Sequence, residues 1–146
     1  NFIPMTYTEY YRNGEKKLKK VPAIHNLIFI HCSRNELQEL KNNSRISDKI
    51  RYIMTKPGNT PMVIPDKQMT DFISVAGSID EQILFLSPQE VTLKKGDRVR
   101  ITGGIWKGVE GTFVRLKKGL RVVVLLDGLM AVATAGIHPS LVEKID

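Results

Sequence analysis

Residues 96–114 read Gly-Asp-Arg-Val-Arg-Ile-Thr-Gly-Gly-Ile-Trp-Lys-Gly-Val-Glu-Gly-Thr-Phe-Val. The glycines in this stretch constrain the fold more than any other feature of the chain. Gly96, Gly104, Gly108 and Gly111 each have a physical rationale. Gly104 and Gly108 bracket a tight turn and can take positive φ without a Cβ clash. Gly111 sits inside a strand-like run, where a missing side chain permits close backbone approach or a sharp bend. Around the turn, Val99 and Ile101 alternate with Arg98, Arg100 and Thr102, and Val109, Gly111 and Phe113 alternate with Glu110 and Thr112. That is the period of two expected of half-buried strands.

The rest of this half continues in the same way. Lys117-Lys118-Gly119 reads as a turn and Leu120 to Leu126 as a strand. Asp127-Gly128 is a hairpin-turn dipeptide, followed by a strand over Leu129 to Thr134 and a last one over Leu141 to Ile145. Several short strands joined by tight turns predict a closed or nearly closed small barrel. Closure would also protect strand edges from unwanted pairing.

The first half has a different grammar. Residues 2–12 are rich in aromatic and β-branched types and read as a strand, with Pro4 limiting where it pairs. Asn13-Gly14 predicts a hairpin turn. Lys16, Lys17, Lys19 and Lys20 follow, then a second strand over Val21 to Cys32. Ser33 and Glu36 have capping-box spacing, which predicts a helix over Arg34 to Lys41, ended by Asn42-Asn43-Ser44. Ile50 to Thr55 reads as a strand and Lys56 to Pro65 as an irregular loop. Asp66 is expected to cap a helix whose Met69, Phe72, Ile73 and Ala76 form one apolar face, stopped by Gly77. Asp80 to Glu90, with Pro88, lacks a pattern and reads as linker. Charge supports a division: residues 1–90 carry 12 basic and 10 acidic groups, against 10 and 5 in residues 91–146.

The stretch from Gly96 to Val114 resembles a KOW motif, the signature of SH3-like barrels in transcription elongation factors and some ribosomal proteins. The ending His138-Pro139-Ser140-Leu141-Val142-Glu143-Lys144-Ile145 is similar to the last turn and strand of the NusG C-terminal domain. The first half follows the order of the NusG N-terminal (NGN) domain: a strand with Ile3-Pro4, a basic hairpin, an apolar strand from His25 to Ile30, a helix, a strand and a helix. Typical members open the second strand with an aromatic-Pro-Gly-Tyr run. Here Ile24-His25-Asn26-Leu27 stands instead. With Asn1-Phe2-Ile3-Pro4-Met5, this is closer to the specialised antiterminators of the UpxY type, which regulate capsular polysaccharide operons in Bacteroides.

The resemblance implies an α+β chain. Residues 1–82 would form an NGN-like antiparallel sheet with helices, 83–93 a linker and 94–146 a KOW SH3-like barrel. The family's first strand and first helix have no counterpart, so the N-terminal domain is expected to be truncated, and a dimer or strand swap could follow from the exposed edge. The implied function is transcription elongation or antitermination, with a general NusG elongation factor or a KOW-containing ribosomal protein as alternatives. Ribosomal KOW proteins usually carry denser basic tails than this chain has.

Site residues follow residue by residue. Ile24 and Leu27 match positions that meet the clamp region of RNA polymerase, as an apolar patch receiving a partner helix; ordinary core packing is the alternative. Ile105 and Trp106 match an apolar loop tip that docks a ribosomal protein or a termination factor. The alternative is that Trp106 folds back over the barrel end. Arg12, Lys16, Lys17, Lys19 and Lys20 cluster at the hairpin, where phosphates of nascent RNA or non-template DNA would bind them. Tyr7, Tyr10 and Tyr11 would stack on unpaired bases. A merely solvated hairpin tip would look the same.

Composition narrows the class. The net charge of +7 favours nucleic acid, a nucleoprotein machine or an acidic protein as partner. The single cysteine, Cys32, excludes an internal disulfide, reads as a core thiol and fits a reducing, cytoplasmic setting. No apolar run approaches the roughly 20 residues of a membrane span. His25, His31 and His138 lack metal-ligand spacing and read as structural. No phosphate-binding glycine loop, nucleophile elbow or carboxylate pair beside a histidine is present. A binding protein with no enzymatic role, cofactor or metal is therefore expected.

Overall fold

The computed structural model describes all residues except 44, 46, 47, 56–59, 79–81, 88, 91–95, 117, 118, 127, 128 and 146. The expected turns at Lys117-Lys118 and Asp127-Gly128, the tip of the loop after Thr55, and parts of the expected linker lie outside the described residues.

Among the described residues the protein is α+β, with two α-helices and antiparallel sheets of two and six strands. Strands β1 (Met5–Arg12) and β2 (Glu15–Pro22) form the first sheet, in register from Met5↔Pro22 to Arg12↔Glu15. Asn13 (φ 51°) and Gly14 (φ 77°) make the two-residue turn between them, as Asn-Gly predicts. The second sheet comprises β3 (Leu84–Leu86), β4 (Asp97–Ile101), β5 (Glu110–Leu116), β6 (Gly119–Leu126), β7 (Met130–Ala133) and β8 (Val142–Lys144), in the order β3-β7-β6-β5-β4-β8. A short 3-10 turn over Pro139–Leu141 delivers β8 to β4.

A closed or nearly closed barrel was expected, and the sheet is not a closed one. Its ends are β3 and β8, each of three residues, and no ladder joins them among the described residues. Strand β3 falls in the expected linker; it pairs with β7 through Leu84↔Ala133, Phe85↔Val132 and Leu86↔Ala131. The strand expected over Val21 to Cys32 is also absent as such. Past Pro22 the Ala23 N–H still donates to the Pro4 carbonyl at 2.8 Å, and Asn26 then turns the chain at φ 62°. What remains of it is Val21 and Pro22 at the end of β2 and the bridge Phe2↔Phe29. Ile50 to Thr55 likewise contributes one bridge, Met54↔Pro61, in place of a strand.

Helix α1 (Arg34–Asn42) starts where the capping box predicts: the Ser33 hydroxyl accepts the Glu36 N–H at 3.1 Å. It buries no residue. Helix α2 (Asp66–Ala76) begins after Pro65, with Asp66 as its first residue and no side-chain cap, and stops at Gly77. Its apolar face meets β6 and β7. Phe72 and Val75 are fully buried there, in one cluster with Val99, Ile101, Trp106, Val109, Val122, Val124, Leu126, Met130 and Val132. Residues from both sides of the expected linker share this core.

Three rings seat the N-terminal segment on the helix. Phe2 meets Phe72 edge-on, with centroids 6.3 Å apart and planes at 88°. Phe29 lies 5.8 Å from Phe72. Phe2 and Phe29 exchange two backbone hydrogen bonds of 2.8 Å. The root of the β1–β2 hairpin is thereby fixed to α2, and through α2 to the large sheet. Phe72→Ala should cost about 3–5 kcal/mol in urea unfolding followed by circular dichroism. A loss below about 1 kcal/mol would show that this core is not filled as described.

Candidate nucleic-acid interface

The hairpin stands away from the body. Apart from Met5, Thr6 and Val21, all of its strand residues are exposed. Because side chains alternate across a strand, the register sorts the basic residues into two sets. Tyr7, Tyr11, Lys16, Leu18 and Lys20 share one face with Glu9; Thr8, Tyr10, Arg12, Lys17 and Lys19 share the other with Glu15. The sequence cluster is thus two cationic, aromatic faces of one ribbon. Lys16 pairs with Glu9 at 2.6 Å, whereas Lys17, Lys19 and Lys20 have no ion pair among the described residues. A ribbon with cations and rings on both faces can contact phosphates with one set of groups and bases with the other.

At the root lies a cleft of about 200 Å³ between the hairpin and the end of α2, lined by Phe2, Ile3, Met5, Tyr7, Lys20 and Gly77, among others.

The glycine-bracketed turn is the second feature. Gly104 (φ 86°) and Gly108 (φ 93°) take the left-handed backbone expected of them. The Gly108 N–H donates to the Ile101 carbonyl at 2.8 Å and the Ile101 N–H to the Val109 carbonyl at 2.9 Å. Gly111 packs so close to β6 that a Cβ would collide with the Val123 carbonyl. Gly96 approaches the Phe113 carbonyl in the same way. Its role is therefore close packing beside β5.

The two expected contact residues part company. Ile105 is 77% exposed at the tip, while Trp106 is 7% exposed and belongs to the core. Trp106 has folded back, so the apolar tip consists of Ile105. The Trp106 Nε1–H is buried without a hydrogen-bond partner among the described residues. Ile24 and Leu27 are half-buried and pack against the same core. On the same stretch, Ile28 (43%) and Ile30 (39%) face outward, and the sequence reading missed them. The signal that could have found them was the unbroken apolar run Leu27 to Ile30, since an extended segment turns successive side chains to opposite sides.

Helix α2 holds the turn from below. Asp71, 5% exposed, accepts the Glu110 N–H at 3.2 Å and pairs with Lys67 at 2.8 Å. Lys67 also donates to the Gly108 carbonyl at 3.0 Å. Beside it, Arg100 bridges Glu110 (2.8 Å) and Glu143 (3.0 Å), tying β5, β4 and β8 together. Hydrogen bonding from Arg100 holds the Glu110 carboxyl below the usual carboxylate range, against the opposing effect of burial. On the other side of the sheet Arg121, 2% exposed, donates to the Gln82 and Thr134 carbonyls.

The chain matches no protein-family model, no curated protein and no solved structure.

Among the described residues no three His, Cys, Asp or Glu side chains gather as metal ligands would, and no helix is long and apolar enough to cross a membrane. His138 acts locally, since its Nδ1 accepts the Ser140 N–H at 3.1 Å and caps the 3-10 turn. His25 and His31 are exposed and Cys32 is half-buried.

Two outcomes follow. Trp106→Ala should destabilise by about 3–5 kcal/mol, whereas Ile105→Ser should stay within about 0.5 kcal/mol, both by thermal or urea unfolding. Equal effects would contradict the opposed placement of the two side chains. Glu110 has a folded pKa below its unfolded one, so it stabilises the fold above the unfolded value. That contribution disappears as pH falls through the folded value. Glu110→Gln should therefore flatten the acid limb of stability against pH, and an unchanged limb would remove the Arg100 bond as its cause.

Proposed function

We propose that this chain is a transcription elongation or antitermination regulator of the NusG type, specialised as in the UpxY group for capsular polysaccharide operons, and that it acts by binding without catalysis. The observation that carries this reading is the projecting ribbon, with lysines and tyrosines on both faces, on the same body as a glycine-bracketed turn that presents Ile105. In this reading the ribbon contacts nascent RNA or non-template DNA. The phosphates meet Arg12, Lys16, Lys17, Lys19 and Lys20, and unpaired bases stack on the tyrosines. Ile105 docks the second factor, a ribosomal protein or a termination factor. Polymerase is received at the apolar stretch containing Ile24 and Leu27. Those two support it from the core side, and the outward Ile28 and Ile30 supply the surface that a clamp helix covers. The chemistry needs no cofactor.

The test combines partner and salt. RNA polymerase should co-purify with the tagged full chain, and Ile28→Asp with Ile30→Asp should abolish capture while circular dichroism stays unchanged. Affinity for a single-stranded oligonucleotide should fall linearly with log salt. Lys17→Ala, Lys19→Ala and Lys20→Ala together should lower that slope by about 0.7 for each phosphate no longer neutralised. Co-sedimentation with ribosomes instead of polymerase, together with a flat salt response, would overturn the proposal.

A further inference from the structure

The hairpin is poorly supported for its length. Strands β1 and β2 pair with each other and with no third strand among the described residues. A lone two-stranded ribbon is marginal in water, and three or more strands are normally needed for stability. Its root is anchored, by Phe2 and by the Ala23 N–H donating to the Pro4 carbonyl at 2.8 Å, but its outer length is not.

The two free edges differ in kind. Strand β2 carries Lys16, Lys17, Lys19 and Lys20, and lysine on an edge strand discourages pairing. Strand β1 has no lysine. Its Thr6, Tyr7, Thr8, Tyr10 and Tyr11 are types that favour strands, and its two charges, Glu9 and Arg12, cancel. One edge is guarded and the other is open.

We propose that a second copy of this chain pairs with β1 edge to edge, antiparallel about a two-fold axis, to give a four-stranded sheet in the order β2-β1-β1-β2. The strand's own sequence argues for a second copy. An edge with no net charge offers nothing to a strongly charged partner strand, and it is complementary to itself.

Hairpin geometry sets the register. A two-residue turn makes Arg12 and Glu15 the first hydrogen-bonded pair. The alternation then turns the N–H and C=O of Thr6, Thr8 and Tyr10 toward β2, and those of Met5, Tyr7, Glu9 and Tyr11 outward. A two-fold pairing must place outward groups opposite outward groups. Two registers that meet this condition use most of the strand, one centred on Thr8 and one on Glu9. Centring on Glu9 sets two carboxylates face to face. Centring on Thr8 sets Tyr7 opposite the partner's Glu9, Thr6 opposite the partner's Tyr10 and Met5 opposite the partner's Tyr11, with no like charges opposed. The two β2 strands then lie three strand spacings apart, about 14 Å, which exceeds the roughly 8 Å screening length at physiological salt. Both faces of the ribbon stay open.

In this register Thr8 and the partner's Thr8 form a non-hydrogen-bonded pair, with Cα atoms about 4.5 Å apart, within disulfide range. The test uses the full chain. Sedimentation across a concentration series should show a reversible dimer. Mild oxidation of Thr8→Cys should give a covalent dimer, while Lys19→Cys on the guarded edge and the parent chain with Cys32 alone should not. Thr8→Lys changes an exposed side chain and should leave circular dichroism intact, yet remain monomeric over the range where the parent dimerises. A parent chain that is monomeric at every accessible concentration would overturn the proposal. So would equal cross-linking at positions 8 and 19, or a dimer untouched by Thr8→Lys.

Discussion

The placement of the projecting ribbon depends on the packing of Phe72 against Phe2 and Phe29. Helix α2 alone would be a short amphipathic segment without a side-chain cap, and the hairpin alone would be a marginal ribbon. The three rings give each the other's support and connect both to the six-stranded sheet. Asp71 adds a polar counterpart on the same helix, since it holds the Glu110 N–H and so fixes where β5 begins. A hydrophobic anchor and a buried carboxylate thus set the placement of ribbon and turn on one body.

What could be read from the sequence was decided locally. The Asn13-Gly14 turn was legible because few dipeptides tolerate positive φ at two successive positions. The same holds for Gly104 and Gly108, each of which meets a steric demand set by its own turn. The α1 start was legible because a capping box is a four-residue device. Other outcomes turned on distant residues. Whether Val21 to Cys32 forms one strand depends on what lies beside it, and the positive φ at Asn26 divides it into the end of β2 and the bridge at Phe29. Strand β3 is three residues long, too short for a period to declare itself, and exists because β7 offers an edge. Whether the sheet closes was illegible for a related reason: it depends on how its end strands, β3 and β8, meet, which no local pattern encodes.

The site was legible in chemistry and less so in geometry. The basic cluster after Asn13-Gly14 was plain, but its division over two faces emerges only from the register. The apolar tip was visible as Ile105-Trp106, yet sequence alone could not say which residue points outward. The turn's backbone decides it: hydrogen bonds at Ile101, Gly108 and Val109 fold the indole under the loop and leave isoleucine above it. Ile24 and Leu27 show the converse. Their apolar character was read correctly, but they lie against the core, and their neighbours Ile28 and Ile30 carry the exposed surface.

The inward turn of Trp106 has an optical consequence. It is the chain's one tryptophan, so the whole indole emission of the protein originates in the shared core between α2 and the sheet. Events on the ribbon, where tyrosines are the only rings, would pass unseen at wavelengths that excite tryptophan alone. Light from this protein therefore reports whether its body is intact and is silent about what its arm is holding.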